Sequence, residues 1–244
     1  MSIKIIADST CYLPKEYIKK YNISLVSLNV ILNGVNYREL DLENKWFYEE
    51  MSKSNEIPTS SQPSIEELYK IMETIVKEGH DIIGIFLSSD MSGTYSSSHL
   101  AKEMILEKYP NANIRLIDSR SNCMQMGYTV LEAARAATLN KSLDEVVAVA
   151  EHTIKNSKFI FTPDVLDYLK KGGRIGGASA LLGSILQIRP ILTVEDGKTT
   201  VLTKVRTKKK AVDKIVDLVM EQNNKKKIKE LIVHHIDCEK EGLE

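Results

Sequence analysis

Apolar and polar positions along the first part of the chain follow two alternating patterns. Short apolar runs predict strands, and segments with apolar residues three and four positions apart predict amphipathic helices. The strand-like runs are 3–7, 24–32, 81–87 and 112–118, and the clearest helix is 65–79. Strands and helices in alternation are typical of a parallel sheet with helices on both faces. The fold class indicated is therefore α/β.

Turn and capping residues mark where these elements begin and end. Asn33-Gly34 follows the second apolar run and predicts a tight hairpin turn. Two prolines in the segment 56–64 predict a loop there. Ser142, followed three residues later by Glu145, predicts a capping box at the start of a helix.

The pattern changes after about residue 158. Two β-rich runs on either side of Asp196-Gly197 predict a hairpin, an amphipathic helix is predicted over 210–222, and the apolar stretch 230–236 predicts a strand. We therefore expect two domains. Residues 1–158 are predicted to form an N-terminal α/β sandwich with a parallel sheet, and residues 159–244 a smaller α+β domain.

Composition narrows the class of protein. The chain has 244 residues, 43% of them hydrophobic, which is enough for substantial cores. Acidic and basic residues number 33 each, a balance that does not favour a general binder of polyanions. Bases are concentrated in 198–210, where we expect a surface for a partner or an anionic ligand. A regulatory module that binds nucleic acid through this stretch is the least favoured hypothesis, so no nucleic-acid partner is expected.

Location and redox state can also be predicted. The apolar runs are far shorter than the roughly 20 residues of a spanning helix, so we expect no stable membrane insertion. The first residues, "MSIKIIADST", do not have the pattern of a signal peptide. The three scattered cysteines, Cys11, Cys123 and Cys238, form no disulfide framework and fit a reducing compartment. A cytoplasmic protein is expected.

The turn "SSDMSGTY", residues 88–95, follows the buried run 81–87 and offers a candidate site. Ligands of open α/β sheets bind beyond the carboxyl ends of the strands. Ser92, Gly93 and Thr94 open a predicted helix, where free backbone N–H groups favour an anion. A serine at this position is also a common N-cap, so capping alone remains an alternative.

Catalytic interpretations of the same residues lack essential parts. A serine nucleophile needs a base, and the nucleophile elbow needs a glycine two residues before the serine, which Ser92 does not have. His80 precedes its strand and is expected at the opposite end of the sheet. A hydrolase or acyltransferase that uses Ser92 is kept as the alternative function. In "HHIDC", neighbours on a strand point to opposite faces, so no metal site is expected at residues 234–238.

A second hydroxyl-rich loop, "PTSSQPS", contains Ser60 and Ser61. If it converges with the Ser92 turn at the sheet edge, three hydroxyls and several backbone donors surround one position. Neutral donors of this number can hold a carboxylate without a buried cation. The pair of loops therefore predicts a site that binds an anion and does not transform it.

Five motifs, taken together and in this order, resemble the DegV family over residues 3–238. They are "ADST", "SSQPS", "LSSDMSGTYSSS", "DSRSNCMQMG" and "YLKKGGRIGG…ILQIRPIL…DGK…KVRTKKKA". The resemblance implies a two-domain α/β protein that encloses a long-chain fatty acid between its domains. It implies no catalysis and no cofactor besides the bound fatty acid.

The same resemblance implies roles for particular residues. Hydroxyls of the two loops would hold the carboxylate, with Ser60 in place of a threonine that many members have. Arg174 in "GGRI" and Arg206 in "KVRT" match arginines associated with the pocket rim or with kinase docking. The site residues implied for the ligand are Ser60, Ser61, Ser92, Gly93 and Thr94.

The resemblance also implies partners. Members of the family supply bound fatty acid to a separate fatty acid kinase, which makes an acyl-phosphate for phospholipid synthesis. We expect a fatty acid and such a kinase as partners, and a monomer as the oligomeric state. Family chains usually continue to a late His-x-Gly-Pro-Gly motif near the carboxylate, whereas this sequence stops at "HHIDCEKEGLE". We therefore expect a truncated smaller domain with part of its core exposed.

Overall fold

A computed structural model describes residues 2–182 and 188–243. Its strands are β1 (Ile3–Asp8), β2 (Ser24–Val26), β3 (Asn29–Leu32), β4 (Val35–Arg38), β5 (Thr59–Ser61), β6 (Asp81–Phe86), β7 (Ile114–Asp118), β8 (Ile160–Phe161), β9 (Arg189–Glu195) and β10 (Lys198–Val205). Its α-helices are α1 (Lys15–Tyr21), α2 (Asn44–Lys53), α3 (Ile65–Lys77), α4 (Thr94–Lys108), α5 (Cys123–Ala137), α6 (Leu143–Asn156), α7 (Asp167–Lys171), α8 (Lys208–Lys225) and α9 (Glu239–Leu243).

The predicted parallel sheet is confirmed, with four strands in the order β2–β1–β6–β7. Successive residues of its central strands enter two different cores. Ile5 and Ile83 pack with α5 and α6, whereas Ile6 and Ile82 pack with α3 and α4 on the other face. Each fully buried isoleucine contributes about 1.5–3 kcal/mol through burial of apolar surface. This burial on both faces explains why the strands read as continuous apolar runs.

A second sheet, in the order β4–β3–β5, is antiparallel. The single strand predicted over 24–32 is therefore divided between two sheets. The break lies at Ser27, whose hydroxyl donates to the carbonyl of Leu28 and accepts the N–H of Leu40. The Asn33-Gly34 turn is confirmed, with φ of 51° and 76°. The segment predicted as a loop over 56–64 is extended at β5 because it pairs with β3.

The third sheet, in the order β10–β9–β8, belongs to the second half of the chain. Asp196 and Gly197 form the predicted hairpin turn between β9 and β10, with φ of 47° and 79°. A 3-10 turn, Gly176–Leu181, packs on β10. Val194 of β9 is buried in the same apolar core as α5 and α6. The two halves are thus joined by apolar contact as well as by the chain.

Other helix predictions are confirmed with small changes of bounds. The capping box at Ser142 and Glu145 is present at the start of α6. The helix predicted over 210–222 is α8, which extends further at both ends. No helix within the described part of the chain is long and apolar enough to cross a membrane.

The strand predicted over 230–236 is wrong. These residues form no strand and have no sheet partner among the described strands, and Leu231, Val233 and Ile236 are at least 64% exposed. An apolar run forms a strand only where a neighbouring strand accepts its backbone hydrogen bonds. A polar contact of this stretch lies at its first residue, where Glu230 is 2.9 Å from Arg135 of α5.

Candidate functional site

The carboxyl ends of β1 and β6 are tied together by Asp8, which is fully buried. One carboxylate oxygen accepts the N–H and hydroxyl of Thr10, at 3.0 and 2.6 Å. The other accepts the N–H of Leu87 at 2.8 Å. Burial raises the pKa of Asp8 to about 6, although these hydrogen bonds oppose the rise. Asp8 thereby fixes the chain just before the turn that contains Ser92.

The Ser92 turn is folded by its own backbone. The carbonyl of Ser88 accepts the N–H groups of Met91 and Ser92, at 2.9 and 3.1 Å. Gly93 is the N-cap of α4 and has no side chain with which to cap it. The Ser92 hydroxyl is 2.9 Å from that of Thr94 and accepts the Thr94 N–H at 3.3 Å. Ser92 therefore both caps α4 locally and presents a hydroxyl at the start of that helix.

The two hydroxyl loops converge, which is the condition on which the shared site considered from the sequence depends. Gln62, directly after β5, lies against Gly93, and its amide donates to the Ser97 hydroxyl at 2.6 Å. A Cβ at position 93 would collide with the Gln62 side-chain oxygen. Gly93 has an ordinary φ of −76°, so a larger residue here would need the Gln62 side chain to move but would not strain the backbone.

Arg174 connects the second half of the chain to both loops. Its Nε donates to the carbonyl of Met91 at 2.9 Å, and its Nη1 to the hydroxyl of Ser60 at 3.4 Å. The preceding Gly173 has a φ of +71° and lets the chain turn after α7. The guanidinium thus lies beside the Ser60 hydroxyl and the backbone of the Ser92 turn.

The remaining site residues are placed less centrally. Ser61 is exposed and follows Ser60 on β5, so the two hydroxyls point to opposite faces of that strand. Arg206 is exposed directly after β10, and no contact among the described residues brings it to the two loops. The structure therefore brings together Ser60, Ser92, Gly93, Thr94 and Arg174.

A polar cluster at the end of β1 was missed by sequence reasoning. The Ser9 hydroxyl donates to one oxygen of Glu39 and accepts the N–H of Leu28 at 3.0 Å. The Tyr12 hydroxyl donates to the other Glu39 oxygen at 2.7 Å. The "ADST" motif contained the signal for this cluster, but Glu39 lies thirty residues away in the chain and cannot be paired with Ser9 by pattern.

The histidines near the turn have other contacts. His99 packs edge-on against Tyr95, with ring centroids 4.7 Å apart, and His80 is hydrogen bonded to Ser2 at the start of β1. The side-chain partner of the Ser92 hydroxyl is Thr94, not a base. Among residues 2–182 and 188–243, no group of three His, Cys, Asp or Glu side chains could hold a metal ion. The hydroxyl and backbone N–H groups of the two loops are therefore suited to donating hydrogen bonds.

The fold and the two loops define a two-domain α/β protein with hydroxyl-rich loops at the carboxyl edge of its parallel sheet. The chain belongs to the DegV family, since the family model described as "Uncharacterised protein, DegV family" matches residues 2–244. A DegV domain-containing protein of Clostridium acetobutylicum is 52% identical over 238 residues, which are 98% of this chain and 83% of the relative. Protein DegV of Bacillus subtilis is 36% identical over 244 residues, covering 99% and 85% of the two chains.

Solved structures are similar as well. DegV, a fatty acid binding protein from Bacillus subtilis, has a TM-score of 0.81 at 36% identity, with 92% of this chain and 79% of that chain covered. A stearic acid-binding protein from Eubacterium ventriosum has a TM-score of 0.85 at 28% identity, with coverage of 91% and 77%. The predicted family resemblance and fold class are therefore confirmed.

Proposed function

We propose that this chain binds a long-chain fatty acid between its two domains. The observation that carries the proposal is the convergence of two hydroxyl loops beside Arg174, at the carboxyl edge of the parallel sheet. Structures similar to this one include proteins described as binding fatty acids. The boundary between the domains is proposed at residues 158 and 159.

The carboxylate is proposed to lie between the loops, bound by Ser60, Ser92, Gly93 and Thr94. Ser61, the fifth residue expected from sequence, lies on the opposite face of β5 from Ser60 and is not proposed to contact the carboxylate. Hydroxyl and backbone donors offset the loss of water around a carboxylate, which would otherwise oppose its burial. The Arg174 guanidinium adds a positive charge at hydrogen-bond distance from the Ser60 hydroxyl. We propose that this charge contributes directly to carboxylate binding, in addition to the role at the rim expected from sequence.

Burial of the acyl chain provides most of the favourable free energy. An acyl chain of about 15 methylenes, buried at roughly 0.8 kcal/mol each, gains on the order of 12 kcal/mol before the cost of ordering. The apolar run 175–192 is proposed to line the tunnel, although its residues 183–187 lie outside the described part of the chain. The two loops then fix which end of the molecule is held at the sheet.

The proposal is tested by extraction of lipid and by a serine substitution. Mass spectrometry of the denatured protein is expected to release a fatty acid. Ser92→Ala is expected to weaken oleate binding about 5- to 150-fold, equivalent to the 1–3 kcal/mol of an unmatched buried acceptor. Ser52→Ala is the control, because Ser52 is exposed on α2 and bonds only to its own helix. A wild-type chain that is empty and ignores added oleate overturns the proposal.

We further propose that the bound fatty acid is presented to a fatty acid kinase in the cytoplasm, by a monomer with no catalysis of its own. The exposed Arg206 and the basic stretch 198–210 are the proposed docking surface. The measurement is the rate at which such a kinase phosphorylates oleate bound to this chain, compared with free oleate at the same concentration. Equal rates would contradict the proposed presentation. No hydrolase is proposed, because no base among the described residues contacts Ser92.

A further inference from the structure

The second half of the chain contacts the Ser92 turn through the tip of the β9–β10 hairpin. The hydroxyl of Ser88, which is fully buried, donates to the carbonyl of Gly197 at 2.8 Å. Gly197 has a φ of +79°, and a Cβ there would lie 2.5 Å from the Ser88 hydroxyl. The tip therefore packs directly on the first residue of the turn, four positions before Ser92.

Charged side chains surround this contact. Asp90, within the same turn, is 2.6 Å from Arg120 Nη2 and 3.2 Å from Lys198 Nζ at the start of β10. The hydrogen bond from Arg120, which has the larger effect, and the one from Lys198 lower the pKa of the Asp90 carboxyl. Arg120 also donates to the carbonyl of Asp196 in the hairpin tip. Asp90 thus pairs with Arg120 of the first half and with Lys198 of the second half. Arg120 contacts both the Ser92 turn and the hairpin tip.

Arg120 is held in position by its own backbone. Its φ of +52° lies in the left-handed region, which a residue with a long side chain rarely adopts. Asp118 accepts the Arg120 N–H at 2.8 Å, and Arg120 Nη1 reaches the hydroxyl of Ser89 at 3.1 Å. A backbone conformation of this kind persists where surrounding contacts fix it. The Arg120 backbone and guanidinium are thus held by Asp118 and Ser89 of the first half, on the side that faces the hairpin tip.

We propose that Ser88, Asp90, Arg120, Lys198 and the Asp196-Gly197 tip form a clasp whose opening limits both entry and release of the ligand. The inference rests on the proposed function, because it requires a fatty acid enclosed between the halves. The clasp contacts lie in the turn that contains Ser92, but none of them involves the Ser92 or Ser60 hydroxyls. They hold the halves together without belonging to the carboxylate site.

A clasp has a kinetic signature that differs from that of a binding residue. Clasp contacts are present in the closed protein whether or not it holds ligand. Weakening them favours opening in both states, so the association and dissociation rates rise together while the Kd stays the same. A residue that contacts the carboxylate, by contrast, changes the Kd and mainly the dissociation rate.

The test compares Asp90→Asn with wild type by stopped-flow fluorescence of cis-parinaric acid. Both rates are expected to rise about 2- to 5-fold in the variant, the range for loss of partly exposed ion pairs. The Kd is expected to remain within error. Increasing salt should accelerate both rates in wild type more than in the variant, because salt screens the clasp charges. Asp41→Asn is the matched control, since it removes a surface pair with Arg38 outside the clasp.

Hydrogen exchange gives a second measurement on the same proteins. Backbone amides of β9 and β10 are expected to exchange faster in Asp90→Asn, and in Ser88→Ala, than in Asp41→Asn. Unchanged exchange, unchanged rates, or a dissociation rate that rises alone with the Kd would each overturn the clasp. A wild-type chain that takes up no fatty acid overturns the proposed function and the clasp together.

Discussion

Asp8→Asn probes the most deeply buried charge of the site through the pH dependence of stability. The folded-state pKa of about 6 lies above the 3.8 of an ordinary aspartate, so folding increases the affinity of this carboxyl for a proton. Its contribution to the free energy of unfolding is therefore fully present below pH 3.8 and is lost as pH rises through about 6. At about 1.4 kcal/mol for each pKa unit, the whole window amounts to about 3 kcal/mol.

Asparagine cannot titrate, so the variant lacks this dependence. It also has one side-chain acceptor oxygen where Asp8 accepts bonds from Thr10 and Leu87 with two. A donor left unpaired there costs about 1–3 kcal/mol at every pH. The difference in unfolding free energy between wild type and variant is thus expected to consist of a constant offset and a part that falls as pH rises.

The measurement is urea unfolding of both proteins between about pH 4 and 8, followed by circular dichroism. Asp90→Asn is the contrasting variant, because the pH dependence of stability expected from Asp90 has the opposite sign. Arg120 and Lys198 lower the pKa of Asp90, so its contribution is lost as pH falls. A constant difference between wild type and Asp8→Asn across the window would refute the assignment of a raised pKa to Asp8.

Two further predictions concern packing and solubility. Gly176→Ala is expected to destabilise the packing on the third sheet by about 1–3 kcal/mol, because Gly176 has a φ of +49° and a Cβ would collide with the carbonyl oxygen of Thr199. A lower urea midpoint checks this, and an unchanged midpoint would contradict it. Val233→Lys is expected to reduce aggregation of the purified protein without loss of stability, because Val233 is 66% exposed in an unpaired apolar segment. Light scattering on concentration measures that effect, and equal scattering would contradict it.

Sequence patterns predicted the parallel sheet because each of its strands is defined by its own residues. Ile82 and Ile83 are both buried, one on each face, so the apolar run is visible without knowledge of its partners. The Asp196-Gly197 turn was likewise predicted from two adjacent residues. Such features depend on short-range geometry, which a sequence records directly.

Errors occurred where structure depends on residues far apart in the chain. The apolar run 24–32 gave no sign that Ser27 would divide it between two sheets. The segment 230–236 has the composition of a strand but no strand beside it. Likewise, Asp90, Arg120 and Lys198 meet only because three elements are packed together, and nothing in their spacing predicts it.

The order of the strands along the chain has a consequence for biosynthesis. All four strands of the parallel sheet lie between Ile3 and Asp118, and the helices that cover it end at Asn156. Domains generally fold as units during synthesis, starting from the N-terminus. The two hydroxyl loops therefore emerge from the ribosome before Arg174, β9 and β10. The hairpin that contacts the Ser92 turn is thus synthesised only after the sheet and the loops on which it docks.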